Sequence, residues 1–514
     1  MRVKKIIMFM SCLAMGIQLQ ATAVNSNRLN EWNISKNMEQ PVTRQTCRVL
    51  LEETFNTTIH KPEFSTRPNE YITREEMALM IVNILGYEDI AARLKTASST
   101  FKDVKENVGA IHIMKDLKLI NGDNDSHFNP NKKLTGHEIA TIIKRLSDRL
   151  NMNVKEVHST YAIKSSDQIA LIKNIDTLSF GWGQVEYDQI HKKISINTTS
   201  GNKNDFSVPL GFELPLGIAK QEAVETYFMV YFNDRPIDLV NEGKPMTLAA
   251  YIFNNPTERT SLIREILNAS YEIAQKGGVT NFDGITIDFE DFYDASLQTG
   301  FNTFLKELKR ELDKDNKKLN VAVQPRAYYK GYDYKTIGQI ADRVILMAHD
   351  YAAKTLSDAE MQSGFTVTPI TPIYAIYNAL KEITDNVSGI DPSKVMLQIS
   401  FASTQWQVKD NKIINRKPYT PSYDKLFARL QNPATEIIYS DSYQNPYAIY
   451  YDNNIKNVIW YENKQSVEAK IDLAKMFGIN KISFWRLGTI PNYIDISGKN
   501  TQLDIAAWLA QKDK

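Results

Sequence analysis

Residues 282–290 are the most informative stretch of this chain and read Phe282-Asp283-Gly284-Ile285-Thr286-Ile287-Asp288-Phe289-Glu290. Apolar residues alternate with polar or small ones, and this alternation predicts a β-strand with one apolar face. Because side chains along a strand point to opposite faces in turn, Thr286, Asp288 and Glu290 are expected to share the other face. The stretch therefore predicts two neighbouring carboxylates at the end of an otherwise buried strand.

These two carboxylates, Asp288 and Glu290, have two interpretations. Like charges held close together do not both ionise readily, so one of the pair is expected to keep a proton near neutral pH, as a general acid requires. Alternatively, the end of the strand pairs with a lysine or arginine and serves solubility. The choice depends on what the rest of the chain places around this strand.

Composition and charge are those of a soluble globular protein and argue against a nucleic-acid partner. The 514 residues suffice for two or three domains with a large core. With 61 basic and 60 acidic residues the net charge is +1, so no broad field would attract nucleic acid. A calcium loop at Asp123 is excluded, because Phe128 stands where such a loop needs glycine and Leu134 where it needs glutamate.

The N-terminus has the features of an export signal, residues 1–23. A positively charged start at residues 2–5 precedes an apolar run at residues 6–16, and residues 21–23 form a small-x-small cleavage site. Cys12 raises a lipoprotein alternative, although the residues before it lack the usual aliphatic start. These features predict export to a bacterial envelope.

Cysteine usage and hydropathy limit what the mature chain can be. Once residues 1–23 are removed, only Cys47 remains, so one chain cannot form a disulfide framework. No other stretch is apolar for long enough to cross a membrane. Residues 24–44 are polar without a clear period and are interpreted as a spacer. We therefore expect an exported protein that is stabilised by its core and either held at the cell surface or released.

An internal repeat lies beyond the spacer. Residues 68–76 match residues 130–138, and each copy runs into a helical pattern of apolar residues. Each copy also has a threonine followed three residues later by a glutamate, which is the signature of a capping box at a helix start. The repeat thus has a structural explanation that needs no ligand.

The repeat region, residues 45–150, resembles two modules of the S-layer homology family. The motifs that carry this resemblance are Phe101-Lys102-Asp103-Val104, Leu119-Ile120-Asn121-Gly122-Asp123, Phe128-Asn129-Pro130 and Ile72-Thr73-Arg74-Glu75-Glu76. The resemblance implies that Thr73, Arg74 and Glu76 bind a secondary cell-wall polymer, since a guanidinium suits an acidic sugar. Gly136 replaces the arginine in the second copy, and the family usually has three modules, so a purely structural pair is the alternative.

From residue 159 onward, short apolar runs alternate with amphipathic helical patterns. Eight strands are predicted, at residues 159–163, 177–182, 226–232, 284–289, 319–324, 343–347, 395–401 and 481–485. This strand–helix alternation predicts an α/β fold, a parallel (β/α)8 TIM barrel over residues 159–514. Residues 402–460 are too long for a simple loop and predict a small inserted α+β subdomain after the seventh strand.

In such a barrel, functional groups lie at the carboxyl ends of the strands. Glu290 ends the fourth predicted strand, and His349 and Asp350 follow the sixth. Trp485 ends the eighth strand and Trp182 the second. This convergence from separate strands favours catalysis over a solubility role for the two carboxylates.

Residues 159–514 resemble glycoside hydrolase family 18. The family's fourth-strand pattern, Asp-Gly-x-Asp-x-Asp-x-Glu, corresponds to residues 283–290, and its sixth-strand Met-x-Tyr-Asp corresponds to Met347-Ala348-His349-Asp350. Its eighth-strand tryptophan corresponds to Trp485. The sequence Trp460-Tyr461-Glu462-Asn463 is similar to the branch that contains envelope and spore-cortex glucosaminidases.

This resemblance implies hydrolysis with retention, in which the 2-acetamido oxygen of the substrate attacks the anomeric carbon. Glu290 would protonate the leaving oxygen, Asp288 would accept the acetamido N–H, and Trp485 would form an apolar floor under the sugar. The other residues that the resemblance assigns to substrate binding are Asp283, Thr286, Met347, His349, Asp350 and Tyr351. Neither a metal nor an organic cofactor is implied.

Two residues depart from the family pattern. Thr286 replaces the middle aspartate; it can still donate a hydrogen bond to Asp288 but brings no charge. His349 replaces a tyrosine that steadies the acetamido oxygen; a neutral imidazole N–H could do the same, and a satisfied core histidine is the alternative. Three aromatic residues have two interpretations, cleft lining or core: Trp182, Trp406 and Tyr351.

The sequence as a whole predicts a secreted, wall-attached hydrolase of β-1,4-linked N-acetylglucosaminides. Peptidoglycan or spore cortex is expected ahead of chitin, because wall-binding modules would hold the barrel against that polymer. The alternative from a different class is a non-catalytic glycan-binding or structural envelope protein on the same barrel. Thr286 and His349 favour that alternative, and the presence of Glu290 argues against it.

Overall fold

The structure is a computed structural model that describes residues 38–59, 66–95, 101–123, 126–201, 204–241, 244–364 and 368–511. The predicted export signal at residues 1–23 and the spacer up to residue 37 lie outside these ranges. The chain divides into one unit that ends at Ser147 and a second unit from Asp148 to Lys514. In the described segments, no helix is long and apolar enough to cross a membrane.

The first unit is helical. Its helices are α1 (Arg44–Phe55), α2 (Arg74–Leu85), α3 (Glu88–Leu94), α4 (Val108–Asp116) and α5 (Gly136–Leu150). Thr73 Oγ1 accepts from the Glu76 N–H at 3.3 Å, and Glu76 Oε2 accepts from the Thr73 N–H at 3.0 Å. Thr135 and Glu138 make the same two hydrogen bonds before α5. The predicted capping boxes are therefore confirmed, and each satisfies two donors at a helix start.

Three turns in this unit close a ring of backbone hydrogen bonds. The Val42 N–H donates to Leu134 O at 3.1 Å, the Leu134 N–H to Ile72 O at 3.0 Å, and the Ile72 N–H to Val42 O at 2.9 Å. Two of these turns belong to the predicted repeat. The third precedes α1, within the segment that the sequence pattern indicates as a spacer, so the structured unit begins earlier than expected.

The extra turn corresponds to the other two in both sequence and capping. Thr43 caps α1 through a hydrogen bond that its side chain accepts from the Thr46 N–H. The pattern hides this copy, because Thr46 stands where the other copies have the glutamate of the capping box. The three equivalent triplets are Val42-Thr43-Arg44, Ile72-Thr73-Arg74 and Leu134-Thr135-Gly136.

The second unit is built on β-strands joined by helices. Its strands are β1 (Glu156–Tyr161), β2 (Thr177–Asp188), β3 (Lys193–Asn197), β4 (Glu225–Asn233), β5 (Pro236–Asn241), β6 (Lys244–Thr247), β7 (Gly284–Glu290), β8 (Lys318–Val323), β9 (Arg343–Leu346), β10 (Val395–Ser400), β11 (Thr404–Lys409), β12 (Lys412–Ile413), β13 (Glu436–Ser440), β14 (Asn445–Asp452), β15 (Ile455–Trp460) and β16 (Lys481–Trp485). Its α-helices are α6 (Glu213–Gln221), α7 (Leu248–Asn254), α8 (Pro256–Lys276), α9 (Leu297–Asp313), α10 (Tyr334–Ile340), α11 (Asp358–Ser363), α12 (Ile373–Ile383), α13 (Tyr423–Leu430), α14 (Lys464–Met476) and α15 (Ile505–Ala510). Short 3₁₀ helices span Ser165–Asn174 and Pro392–Lys394.

Eight parallel strands close into the predicted barrel, in the order β1, β2, β4, β7, β8, β9, β10 and β16. Closure is made by β1, which pairs with β2 at His158 and Thr177 and with β16 at Val157 and Ile482. The (β/α)8 architecture is thus confirmed. Because all eight strands run the same way, their carboxyl ends meet at one face of the barrel.

The opening strand differs from its predicted position, residues 159–163. It begins at Glu156, and His158, Ser159 and Thr160 are all buried within it. A run of polar residues does not read as a barrel strand, so the pattern shifts the prediction toward the later apolar residues. The buried polar side chains are explained below by hydrogen bonds across the barrel interior.

The predicted insertion after the seventh barrel strand is confirmed as an α+β subdomain. Strands β11 to β15 form an antiparallel sheet in the order β12-β11-β15-β14-β13, and α13 belongs to the same segment. A buried ion pair follows this sheet: Lys470 Nζ lies 2.7 Å from Glu462 Oε2, with side chains 0% and 2% exposed. Asn445 on β14 donates to Glu462 Oε1 at 2.8 Å, so the pair links the inserted sheet to α14.

Candidate active site

Asp288 and Glu290 lie at the carboxyl end of β7. The neighbouring strand β4 places Tyr231 opposite Asp288 and Asn233 opposite Glu290. Asp288 is only 2% exposed. Burial raises the pKa of both carboxyls, and the nearby Asp288 charge raises that of Glu290 further. The pair therefore retains a proton in the neutral pH range, which is the state that a general acid needs.

Gln324 follows β8 and fixes the turn after Glu290. Its Nε2 donates to Glu290 Oε2 at 3.4 Å, and its Oε1 accepts from the Asp291 N–H at 2.7 Å. Asp291 has a φ of 66°, a left-handed conformation that a non-glycine residue adopts where its surroundings hold it. Sequence reasoning missed Gln324, although a polar residue ending a predicted barrel strand was an available signal.

Thr286 is turned away from Asp288. Its hydroxyl lies 2.7 Å from Ser179 Oγ on β2. Asp288 Oδ1 is buried and has no hydrogen-bond partner within the described part of the chain. The expectation that Thr286 donates to Asp288 is therefore wrong. A buried carboxyl oxygen without a partner is costly in the free protein and is available to a donor on a ligand.

His349 follows β9 with its ring between two acceptors. Nδ1 lies 2.8 Å from Asp350 Oδ2, and Nε2 lies 2.8 Å from Gln398 Oε1. Burial alone would lower the pKa of His349, but Asp350 and Gln398 outweigh it and raise the pKa above its usual value. Both ring nitrogens are engaged, so the structure does not support the expected role of His349 as an N–H donor to an acetamido oxygen.

Six polar side chains link β7 to the loop after β9 through the barrel interior, and we call them the polar belt. They are Thr286, Ser179, His158, Ser483, Gln398 and His349. His158 lies at the centre, with Nε2 2.8 Å from Ser179 Oγ and Nδ1 2.8 Å from Ser483 Oγ. Gln398 Nε2 donates to Ser483 Oγ at 3.3 Å. Each belt member thus has a partner, as buried polar groups require.

An aromatic group borders the two carboxyls. Trp485 ends β16 and is half-buried, with its ring centroid 6.4 Å from that of Phe206. Phe206 in turn stacks on Tyr231 at 4.2 Å. Tyr231 on β4 lies opposite Asp288, and burial together with the charges of Glu290 and Asp288 raises the pKa of Tyr231. Sequence reasoning missed Phe206 and Tyr231.

Four tyrosines from loops after β7, β8 and β9 form a second aromatic surface, which we call the tyrosine strip: Tyr293, Tyr328, Tyr329 and Tyr351. Tyr293 is 60% exposed and Tyr328 62% exposed. The ring centroids of Tyr293 and Tyr329 are 5.0 Å apart, and those of Tyr328 and Tyr351 are 6.2 Å apart. Of the four, sequence reasoning singled out Tyr351 alone; the position of the others directly after predicted strands was the missed signal.

Asp283 lies at the amino end of β7, away from Glu290. Its Oδ2 accepts from the Thr226 N–H at 2.7 Å and from the Thr226 hydroxyl at 3.0 Å. The next residue, Gly284, has no room for a side chain, since a Cβ would lie 2.2 Å from Lys318 O. Asp283 therefore joins β7 to β4, and the expectation that it binds substrate is wrong.

Three other predicted residues are core. Trp182 is buried against Tyr161, Phe180 and Phe212. Trp406 is buried with Leu356 and Ile413. Met347 is buried in a cluster with Ala322, Ile345 and Met396. For Trp182 and Trp406 the core interpretation holds, and Met347 supports the site from within the barrel.

In the first unit, the Arg74 side chain makes contacts that stabilise the fold. It is buried, its Nε donates to Phe128 O at 2.8 Å, and its guanidinium lies 4.7 Å from the centre of the Phe128 ring. A second guanidinium nitrogen donates to Asn121 O. With Thr73 and Glu76 capping α2, all three residues have structural contacts, and their binding of a wall polymer stays a prediction.

The extra turn brings a second arginine that sequence reasoning missed. Arg44 lies 2.8 Å from Glu70 and also pairs with Glu76. These partners raise its pKa, with the Glu76 hydrogen bond as the largest cause. Thr43 and Arg44 thus repeat the Thr-Arg pair of the predicted module one turn earlier.

The second unit has the features of a barrel glycosidase: a buried and a half-buried carboxyl of raised pKa at the carboxyl end of β7, bordered by aromatic rings. In the described segments, no group of three or more His, Cys, Asp or Glu side chains is placed to hold a metal ion. The class defined by fold and site is therefore that of the (β/α)8 glycoside hydrolases.

Two family models match parts of the chain. Residues 250–489 match Glycosyl hydrolases family 18, and residues 100–140 match the S-layer homology domain. The chain is 26% identical over 251 residues to the cortical fragment-lytic enzyme of Bacillus anthracis, covering 47% of this chain and 53% of that protein. It is 37% identical over 76 residues to a cell surface protein of Thermoanaerobacter kivui, covering 14% of this chain and 10% of that protein.

A solved structure shares the fold of the second unit. The spore cortex-lytic enzyme SleL of Bacillus megaterium QM B1551 matches with a TM-score of 0.50 at 20% identity, covering 71% of this chain and 75% of that one. The chain thus carries a glycosyl hydrolase family 18 domain match at residues 250–489 and an S-layer homology domain match at residues 100–140. It spans about half the length of the curated glycosidases it matches.

Proposed function

We propose that this chain is an exported, wall-attached hydrolase of β-1,4-linked N-acetylglucosaminides, with peptidoglycan or spore cortex as substrate ahead of chitin. The observation that carries the proposal is the pair of buried Asp288 and half-buried Glu290, both of raised pKa, at the carboxyl end of β7. The relative named for cortical fragments supports the choice of polymer. The S-layer homology domain would hold the barrel against the same wall and raise the local substrate concentration.

In this mechanism the protonated Glu290 gives its proton to the glycosidic oxygen, and the electron pair of the broken C–O bond stays with that oxygen. The 2-acetamido oxygen of the substrate forms the new bond to the anomeric carbon. Asp288 Oδ1, which has no partner among the described residues, accepts the acetamido N–H and offsets the positive charge that develops. Glu290 then takes a proton from a water molecule that attacks the anomeric carbon and breaks its bond to the acetamido oxygen, so the acetamido group is restored and the anomeric configuration is retained.

The aromatic surfaces fit a glycan chain. Trp485 and Phe206 provide an apolar floor near the carboxyls, and the tyrosine strip adds two exposed rings, Tyr293 after β7 and Tyr328 after β8. Aromatic faces pack against the apolar faces of sugar rings while their polar tips remain solvated. A surface that extends beyond one sugar favours a polymer over a monosaccharide glycoside.

Turnover by the full chain on purified peptidoglycan, spore cortex and chitin oligomers tests the proposal. We expect new reducing ends from a wall polymer, with Glu290→Gln as the matched inactive variant. Equal product from both proteins would overturn the role of Glu290. Binding to a polymer without any product would favour the second candidate, a glycan-binding or structural envelope protein. This candidate is favoured by Thr286 and His349, whose expected roles in catalysis the structure does not support.

For the first unit, Arg74→Ala is expected to weaken retention on cell-wall sacculi several-fold. The substitution removes hydrogen bonds to Phe128 O and Asn121 O, each worth about 0.5–1.5 kcal/mol, so it also lowers the melting temperature of this unit. Pull-down of the full chain measures retention, and Arg67→Ala, at an exposed arginine outside the three triplets, is the control. Unchanged retention of Arg74→Ala would show that Arg44 carries the binding or that the modules are spacers.

A further inference from the structure

The hydrogen-bond partners of His349 define its protonation state. Nδ1 faces a carboxylate oxygen of Asp350, and Nε2 faces the amide oxygen of Gln398, each at 2.8 Å. Neither oxygen carries a proton to donate, so both ring nitrogens must be the donors. An imidazole with two N–H donors is the imidazolium cation. Its side chain is 8% exposed, so the charge is largely shielded from solvent.

The second histidine of the polar belt is in the opposite state. Both nitrogens of His158 face serine hydroxyls, which can either donate or accept. Burial lowers the pKa of His158 to about 3, and the nearby Arg343 charge acts in the same direction. His158 is therefore neutral, and the belt holds one neutral and one charged ring.

The orientation of the Gln398 amide decides which of its atoms faces His349. Its Nε2 donates to Ser483 Oγ at 3.3 Å, which leaves Oε1 directed at His349. Ser483 is held in turn by His158 Nδ1 at 2.8 Å. With the amide turned over, Gln398 Nε2 would face the His349 ring and Oε1 would face Ser483, so a doubly protonated His349 requires the orientation in which Oε1 faces the ring.

Two charged groups face His349 in the described structure. Asp350 belongs to the same loop and has an exposed side chain, and Glu290 comes from β7. The third partner, Gln398 on β10, is neutral. The positive charge of His349 lowers the pKa of Glu290, while the Glu290 charge raises that of His349, so the two groups are close enough to influence each other.

We propose that Gln398 is a positioning residue that, together with Asp350, holds His349 as a cation beside Glu290. The catalytic consequence rests on the proposed function, whereas the cation does not. When the Glu290 proton moves to the leaving oxygen, the carboxylate that remains is stabilised by the adjacent positive charge. When Glu290 takes a proton back from water, its charge is lost and His349 keeps Asp350 as its counter-ion.

The protonation state can be read directly by NMR. In the full chain labelled with ¹⁵N-histidine, the His349 signals are assigned by their absence in His349→Gln. We expect both nitrogens to be protonated near neutral pH and the cation to be lost only on the alkaline side. Gln398→Leu should move that loss to lower pH, and Gln398→Glu, which keeps an acceptor, should not. A singly protonated His349 ring near neutral pH overturns the proposal.

The pH profile of kcat/KM tests the effect on Glu290. Without the cation the Glu290 carboxyl becomes a weaker acid, so His349→Gln should lower kcat and move the alkaline limb upward by about one pH unit. Gln398→Leu should shift the limb the same way, and Gln398→Glu, whose carboxylate offsets the charge of the cation, should not restore its position. Lower rates with an unmoved limb would assign His349 a merely structural role and overturn the proposal.

The two tests separate failure of this inference from failure of the proposed function. If no polymer is hydrolysed, the proposed function fails, and the NMR titration still decides whether Gln398 holds a cation. If Gln398→Leu does not fold, the NMR titrations of Gln398→Glu and of the wild type still decide whether His349 is a cation near neutral pH.

Discussion

Glu290→Gln is expected to reduce turnover of the wall polymer by about 10²- to 10⁴-fold, the usual contribution of a general acid–base group. Glutamine has nearly the same shape, and Gln324 and the turn at Asp291 can stay in place. It has no proton to give to the leaving oxygen and cannot activate water. The measurement is the initial rate of reducing-end release at saturating polymer.

Glu272→Gln is the matched control, because it makes the same chemical change at an exposed position on α8. Its rate should equal that of the wild type. If Glu290→Gln also kept the wild-type rate, the assignment of Glu290 as the acid would be wrong, and Asp288 would be the next group to test.

Glu290→Gln is also expected to stabilise the barrel, and the stabilisation should increase as the pH rises. In the unfolded chain Glu290 loses its proton near the ordinary glutamate pKa of about 4.3. In the folded state the raised pKa keeps the proton on, so the folded form binds more protons and the wild type loses stability as the pH rises between the two pKa values. Each unit of separation corresponds to about 1.4 kcal/mol.

Melting temperatures of wild type and Glu290→Gln across the acid to neutral range measure this effect. The two curves should coincide at low pH, where the wild-type carboxyl is protonated in both states, and diverge as the pH rises. Parallel curves would contradict the raised pKa of Glu290 and with it the basis for its role as an acid.

Lys470→Met is expected to destabilise the second unit by about 3–5 kcal/mol, the typical cost of removing one partner from a buried ion pair. Glu462 would remain 2% exposed with its cation gone. Asn445, Ser466 and Thr371 still donate to its carboxylate, but they bring no charge. Chemical denaturation of the full chain, followed through the loss of polymer turnover, measures the change.

The double variant Glu462→Gln with Lys470→Met is the control, because it removes both charges and keeps the amide within reach of the same donors. It should recover most of the stability that Lys470→Met loses. A single variant as stable as the double one would show that the buried charge is tolerated without its partner.

Local sequence patterns were sufficient to predict much of the fold. The eight barrel strands, the inserted sheet and the helix caps each depend on residues a few positions apart, where period and capping rules apply directly. Only β1 shifted, because its buried face is polar. The third turn of the first unit remained hidden for a related reason, since Thr46 lacks the carboxylate that marks the other copies.

The site was predicted in outline. Alternation along β7 placed Asp288 and Glu290 on one face, and the barrel put Glu290, His349 and Trp485 at one end. The same alternation could not show that Asp283 bonds to Thr226 on the neighbouring strand β4. It also could not show which side chains from other strands meet these residues inside the barrel.

By itself, then, the sequence determined the barrel, the family resemblance and the carboxylate pair at the end of the fourth barrel strand, because these follow from short-range periodicity and motif. The tertiary structure alone decided the partners of Thr286 and His349. Thr286 meets Ser179 across 107 residues, and His349 meets Gln398 across 49 residues. Closing the barrel brings such distant polar side chains together, and their need for partners in a buried interior fixes which atoms pair.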